Sequence, residues 1–213
     1  MKTLMTTWLA ASLLVAGAPA ARSDSGTGHD HAGAPRVVDH DPDSGADMIG
    51  RAAPPWTFDR WLRTPPLSLA SLRGKVVLLR WWTEDCHYCA TTLPELEKVR
   101  GARERDGLVV IGVFHPKPPG DVSDRRVLAV ADRLGFAGPI AVDASWSTLA
   151  RYWLDGHPDR NFTSVSFLID REGVVRWVHG GGEYHPSDDP RHAQCAVDYR
   201  GFRRAVDEAL AGH

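Results

Sequence analysis

The chain has 213 residues, 43% hydrophobic and 24% charged, which suits one globular domain with additions. A formal net charge of −2 leaves no basic surface that would argue for nucleic acid. The three cysteines are an odd number, so one thiol is left over once two of them pair.

The N-terminus carries Lys2 and then an apolar stretch from Trp8 to Gly17, too short for a comfortable membrane span. Ala18-Pro19-Ala20 fits a small-residue cleavage site, so residues 1–20 read as an export signal. An uncleaved membrane anchor is the alternative. Export would place the cysteines in an oxidising compartment such as the periplasm. Residues 21–52 are rich in Gly, Ala, Asp, Ser, Pro and His, with little apolar periodicity, and read as a disordered linker. His29-Asp30-His31 and His40-Asp41 are either weak metal ligands or a chance cluster in a solvated tail. The folded domain is expected over residues 53–213.

Val76 to Leu79 is a branched apolar run and reads as a buried strand. A polar turn follows, then Cys86-His87-Tyr88-Cys89, then a helix-compatible segment through Leu93, Leu96 and Val99. Two thiols three residues apart at a helix start share its first turn. The orphan N–H groups and the positive dipole end there favour a thiolate, which is the reacting form of cysteine. Pro94 removes one backbone donor inside this helix and should bend it. Trp81 and Trp82 fall on opposite faces of the strand, Trp81 as core and Trp82 as site rim.

Leu108 to Phe114 is a second buried strand, which makes a parallel strand–helix–strand unit with the first. A helix is expected from Val122 to Leu134, capped by Ser123 or Asp124 and stopped at Gly135. Ile140 to Asp143 is a short strand and Ser145 to Leu154 a short helix. Val165 to Asp170 and Val174 to His179 read as an antiparallel hairpin turned at Arg171-Glu172-Gly173. Gly180-Gly181-Gly182 opens an irregular loop to about Gln194, and a last helix runs from Tyr199 to Leu210.

Gly74-Lys75-Val76-Val77-Leu78-Leu79-Arg80-Trp81-Trp82, the Cys86–Cys89 pair with Leu93-Pro94-Glu95-Leu96, and Phe167-Leu168-Ile169-Asp170-Arg171-Glu172-Gly173-Val174-Val175 follow one another in fixed order. In this the chain resembles the thioredoxin-like proteins of the TlpA/ResA type, exported thiol-disulfide oxidoreductases of bacteria. The resemblance implies an α/β thioredoxin-like fold with a central mixed sheet flanked by helices. It implies Cys86 as attacking and Cys89 as resolving thiol, with no cofactor and no resident metal. The chain is expected to be a monomer that exchanges with protein thiols and disulfides in the cell envelope, a membrane reductant being a further candidate partner.

The chain departs from that family at three places. The proline that usually faces the cysteines in the cis form is replaced by Ser164, so a trans peptide is expected at Thr163-Ser164. A rival alignment puts Pro158 there. A serine in that place would alter partner docking and open the site to metals. Thr92 stands where ResA-type members often carry a glutamate. His87 lies between the cysteines, either favouring the thiolate or projecting into solvent.

Two other activities remain open at this level. Thr83-x-x-Cys86 matches part of a thiol peroxidase site, although Leu79 stands where its proline should be. A copper carrier would use the cysteines with a histidine, although such carriers resemble a three-residue spacer and this chain has two. Cys195 is either a free or partly buried thiol, a third redox member, or, with His192 and the CxxC, part of a Cys3His zinc site. His179, Glu183, Tyr184 and His185 around the glycine run are either a copper or substrate site or exposed neighbours of a turn.

Overall fold

A computed structural model describes residues 44–212. The expected export signal, the anchor alternative and most of the linker lie outside these residues. Six strands form one mixed sheet: β1 (Arg60–Leu62), β2 (Val76–Trp82), β3 (Leu108–Phe114), β4 (Ile140–Val142), β5 (Ser166–Ile169) and β6 (Val175–His179). Their spatial order is β1-β4-β3-β2-β5-β6. β2 runs parallel to β3 and β3 parallel to β4, while β1, β5 and β6 pair antiparallel with their neighbours. Three helices, α1 (His87–Arg103), α2 (Asp124–Arg133) and the C-terminal α4 (Ala193–Ala211), accompany a short α3 (Ser147–Leu149) that widens into a π turn over Ala150–Leu154. None of the described helices is long and apolar enough to cross a membrane.

β2 is central and wholly buried, which explains its run of branched residues. Its alternation divides the core. Val76, Leu78 and Trp82 face a cluster with Leu93 and Leu96 of α1, Val127 of α2 and Phe202 of α4. Val77, Leu79 and Trp81 face Trp56, Phe58, Tyr152, Trp153 and Phe167. Each such buried side chain contributes about 1.5–3 kcal/mol. Trp81 is core as expected. Trp82 is not at the site rim: it is fully buried, with its ring edge-on to Phe114 at 4.9 Å between centroids. On the α1 face its indole lies beside Gly112, where an added Cβ would come within 2.9 Å of the ring nitrogen, so the glycine leaves room for the ring inside.

The ordered chain is under way before Ala53. The amides of Gly50 and Ala53 donate to the carbonyls of Val175 and Gly173, and Val175 donates back to Arg51, which covers the outer edge of β6. Asp47 pairs with Arg160, and Gly45 (φ 95°) packs so tightly that a Cβ there would lie 2.4 Å from Val178. The stretch 44–52, expected as linker, is therefore part of the folded body. The last helix also begins earlier than Tyr199: a turn at Pro190–His192, capped by the Asp189 carboxylate, leads straight into α4 at Ala193. Two tail-like segments were hidden by their polar composition, which periodicity reads as loop.

Candidate functional site

β2 ends at Trp82, and a turn of Thr83, Glu84 and Asp85 carries the chain to α1. The Glu84 carboxylate accepts two hydrogen bonds from the Arg126 guanidinium, both 2.7 Å, which ties this turn to α2. Cys86 is the N-cap of α1, with extended backbone, and its Sγ accepts the Cys89 amide at 3.1 Å. The two sulfurs are bonded in a disulfide, with Cα atoms 5.2 Å apart. Cys86 is half-buried at the surface, and Cys89 lies fully buried behind it. His87 is exposed and meets the Tyr88 ring edge-on.

Cys86 opens onto a cleft of about 710 Å³. One wall is the turn and the first residues of α1. The opposite wall is Asn161, Phe162, Thr163 and Ser164, with Lys117 at one end. Ser164 thus occupies the place facing the cysteines, and Pro158 is not part of the wall. Among the described residues the cis peptide is Lys117-Pro118, so Thr163-Ser164 is trans as expected.

Buried polar groups hold this second wall. His115 is fully buried, with Nδ1 2.9 Å from the Trp82 carbonyl and Nε2 2.8 Å from the Thr163 hydroxyl. The carbonyl can only accept, so Nδ1 carries the proton and Nε2 accepts from Thr163. Burial, aided by the charge of Lys117, pushes the His115 pKa down to about 3 and keeps the ring neutral. Burial also lowers the Lys117 ammonium below its ordinary value. The Arg80 guanidinium, buried in β2, donates to the Ser164 carbonyl at 2.6 Å and the Gly182 carbonyl at 2.8 Å, and lies over the Tyr184 ring at 5.4 Å. Its own pKa is lowered by burial and supported by the charges of Tyr184 and Glu183.

The glycine run is no exposed turn. Gly181 (φ 123°) sits against Phe162 so closely that a Cβ would lie 2.1 Å away, so only glycine fits. Glu183 and Tyr184 are buried: the Thr91 hydroxyl donates to Glu183 at 2.6 Å, and the Tyr184 amide donates to the Thr92 hydroxyl at 3.2 Å. Thr92, in the place of an acid, anchors this loop to α1. His179 stacks near Tyr184, with Nε2 3.4 Å from Asp198. Of the readings of Cys195, the structure shows the free, buried thiol, and the Cys3His grouping does not form. Cys195 and His192 do meet at 3.7 Å, but with Glu183 and His185 rather than with Cys86 and Cys89.

Sequence reasoning located the cysteines but not Lys117, Phe162, His115 or Arg80. Arg80 had a visible signal, a lone charge inside an apolar strand that must find buried acceptors. The others are brought to the cleft by loops whose paths periodicity does not encode.

Over residues 49–178 the chain matches the model of the AhpC/TSA family. It is similar to protein DipZ of Mycobacterium tuberculosis, 35% identical over 133 residues, covering 60% of this chain and 18% of the relative. It is 28% identical over 116 residues to the thiol-disulfide oxidoreductase ResA of Halalkalibacterium halodurans, 54% of this chain and 60% of the relative. The chain therefore spans less than two thirds of both. The structure overlays that of a thiol-disulfide isomerase from Corynebacterium glutamicum with TM-score 0.56 at 24% identity, over 74% of this chain and 96% of the other. Since the family model covers more than half of the chain, and its span takes in both bonded cysteines, this chain belongs to the AhpC/TSA family, built on a thioredoxin-like fold.

Proposed function

We propose that the chain is a thiol-disulfide oxidoreductase that works on protein thiols and disulfides in the cell envelope, with Cys86 attacking and Cys89 resolving. The observation that carries this is the asymmetry of the pair: a half-buried Cys86 at the start of α1 facing an open cleft, disulfide-bonded to a fully buried Cys89. The reduced Cys86 thiolate attacks one sulfur of a partner disulfide, forming a mixed disulfide and releasing one partner thiolate. Cys89 then attacks Cys86, closes the intramolecular disulfide and releases the second partner thiolate. Two electrons pass to the partner, and the reverse sequence oxidises a dithiol. The names of ResA, a thiol-disulfide oxidoreductase, and of the structurally similar isomerase support the same reaction class.

The cleft suits an extended partner segment. Its far wall offers Asn161 and the half-buried Phe162, while Tyr88 meets Phe162 at 6.2 Å between ring centroids. A peroxidase is less well served, because Leu79 stands in the place of its proline. A copper carrier at the CxxC is less well served, because the histidines that converge with other metal-type donors converge on Cys195.

Reduction of insulin disulfides by the reduced protein tests the proposal. Cys86→Ser should abolish turnover, and Cys89→Ser should accumulate a mixed disulfide visible as a mass adduct. Full activity in both variants would overturn it.

A further inference from the structure

We propose that Glu183, His185, His192 and Cys195 form a site for a divalent cation of the zinc type, separate from the redox pair. Their ligand atoms all lie within 4.8 Å of one another. His192 Nδ1 is 3.4 Å from Glu183 Oε1 and 3.7 Å from Cys195 Sγ, and His185 Nε2 is 3.9 Å from Glu183 Oε2. A tetrahedral zinc site with arms of about 2.0–2.3 Å has edges of about 3.3–3.8 Å, so these three separations are close to it and the widest in the cluster, at most 4.8 Å, closes by about 1 Å on binding.

The local sequence produces this convergence. His192 and Cys195 are three residues apart at the start of α4 and share one face of its first turn. Glu183 and His185 alternate along the extended loop that follows the glycine run, and Gly181 lets that loop lie against Phe162. Glu183 and Cys195 are each 1% exposed, while the two histidines are partly open and give a cation a way in.

The hydrogen bonds behind the ligands point the same way. His185 Nδ1 lies 3.1 Å from the Pro186 carbonyl, to which it can only donate. In the neutral tautomer Nε2 then keeps the acceptor lone pair, 3.9 Å from a Glu183 carboxylate oxygen. It is buried and has no hydrogen bond. A backbone carbonyl that holds the outer nitrogen of a histidine is the arrangement found behind metal ligands. The Thr91 hydroxyl does the same service for Glu183.

One carboxylate, one thiolate and two neutral imidazoles balance a divalent charge. Mixed nitrogen, sulfur and oxygen donors suit zinc-class ions rather than magnesium or calcium. Four protein ligands leave no open position, so the ion fastens the loop to α4 and does no chemistry. On binding, the Cys195 S–H bond breaks, its proton passes to water, and a sulfur–metal bond takes its place, with no change of oxidation state. Because Glu183 also holds Thr91, the fastened loop bears on α1 two residues beyond Cys89.

Co(II) titration of the full chain tests this. With the Cys86–Cys89 disulfide closed, Cys195 is the single thiol of the chain. One equivalent of Co(II) should give tetrahedral absorption bands and a thiolate-to-cobalt charge-transfer band, both removed by Zn(II). Cys195→Ser should abolish the charge-transfer band, and His192→Ala should weaken Zn(II) binding by more than about 100-fold, while Thr91→Val, one step behind a ligand, should weaken it about 10-fold. The double variant Cys86→Ser, Cys89→Ser should bind as the parent does. Cobalt spectra without a thiolate band in the parent chain would overturn the proposal, since that ion would sit on histidines elsewhere. So would an unchanged affinity in a folded His192→Ala chain.

Discussion

Cys86 and Cys195 both stand at the start of a helix, Cys86 as the N-cap of α1 and Cys195 as the third residue of α4. Both therefore lie near orphan N–H groups and a positive dipole end. Their surroundings differ. Cys86 faces an open cleft and is bonded to Cys89. Cys195 is 1% exposed, and burial, together with the nearby Glu183 charge, pushes its thiol pKa up to about 11. A helix start alone does not make a reactive cysteine: loss of water and a facing carboxylate outweigh the dipole. The two sites share one support, the Arg80 guanidinium, which holds the Ser164 carbonyl of the cleft wall and the Gly182 carbonyl next to Glu183.

Removing that shared support should have the largest effect. In Arg80→Met the strand keeps its apolar volume, but two buried carbonyls lose a charged donor, and Tyr184 and Glu183 lose their buried cation. A loss of about 3–5 kcal/mol in unfolding free energy is expected, read from urea denaturation of the oxidised protein. A change under about 1 kcal/mol would show that the two sites stand independently of Arg80.

The contrast between the thiols is tested next by alkylation with iodoacetamide, in reduced protein and with a chelator present. A pKa moved from 9.0 to about 11 leaves about 100-fold less thiolate on Cys195 at pH 8 than an ordinary thiol has, and burial slows it further. Cys86 should label first, and Cys195 at least about 100-fold more slowly than in the urea-unfolded chain. Glu183→Gln should recover part of that rate. Equal labelling of the two cysteines in the folded protein would remove the contrast.

What the sequence made legible follows the same division. β2, β3, α1 and the β5–β6 hairpin show in apolar runs, and the CxxC announces itself by spacing, because local backbone physics fixes where those groups lie. The Ser164 position could be counted back three residues from Phe167, just before β5 begins. The Cys195 site could not be found that way. Its ligands come from a loop and a helix start, Glu183 with His185 on one and His192 with Cys195 on the other, and no local pattern brings the two pairs together. β1 was missed because three residues, Arg60 to Leu62, carry too short a pattern, and their pairing with β4 is decided by distant chain.

The smallest expected effect separates the sites by pH. His115 braces the cleft wall through Thr163, and the contacts around Cys195 do not involve it. Its pKa in the folded protein is about 3, against 6.5 for the free side chain. The unfolded chain therefore binds this proton more readily, and the stability that neutral His115 contributes is complete above about pH 6.5 and falls as pH drops toward 3. By about pH 5 the loss should reach about 2 kcal/mol. His115→Gln keeps a donor for the Trp82 carbonyl and cannot titrate. Its unfolding free energy should fall less steeply than that of the parent between about pH 6 and pH 4, by about one proton in the slope, whatever its offset at neutral pH. Parallel acid limbs in urea denaturation would mean that the buried imidazole takes up its proton without opening the cleft wall, and that Thr163 is held there by the backbone alone.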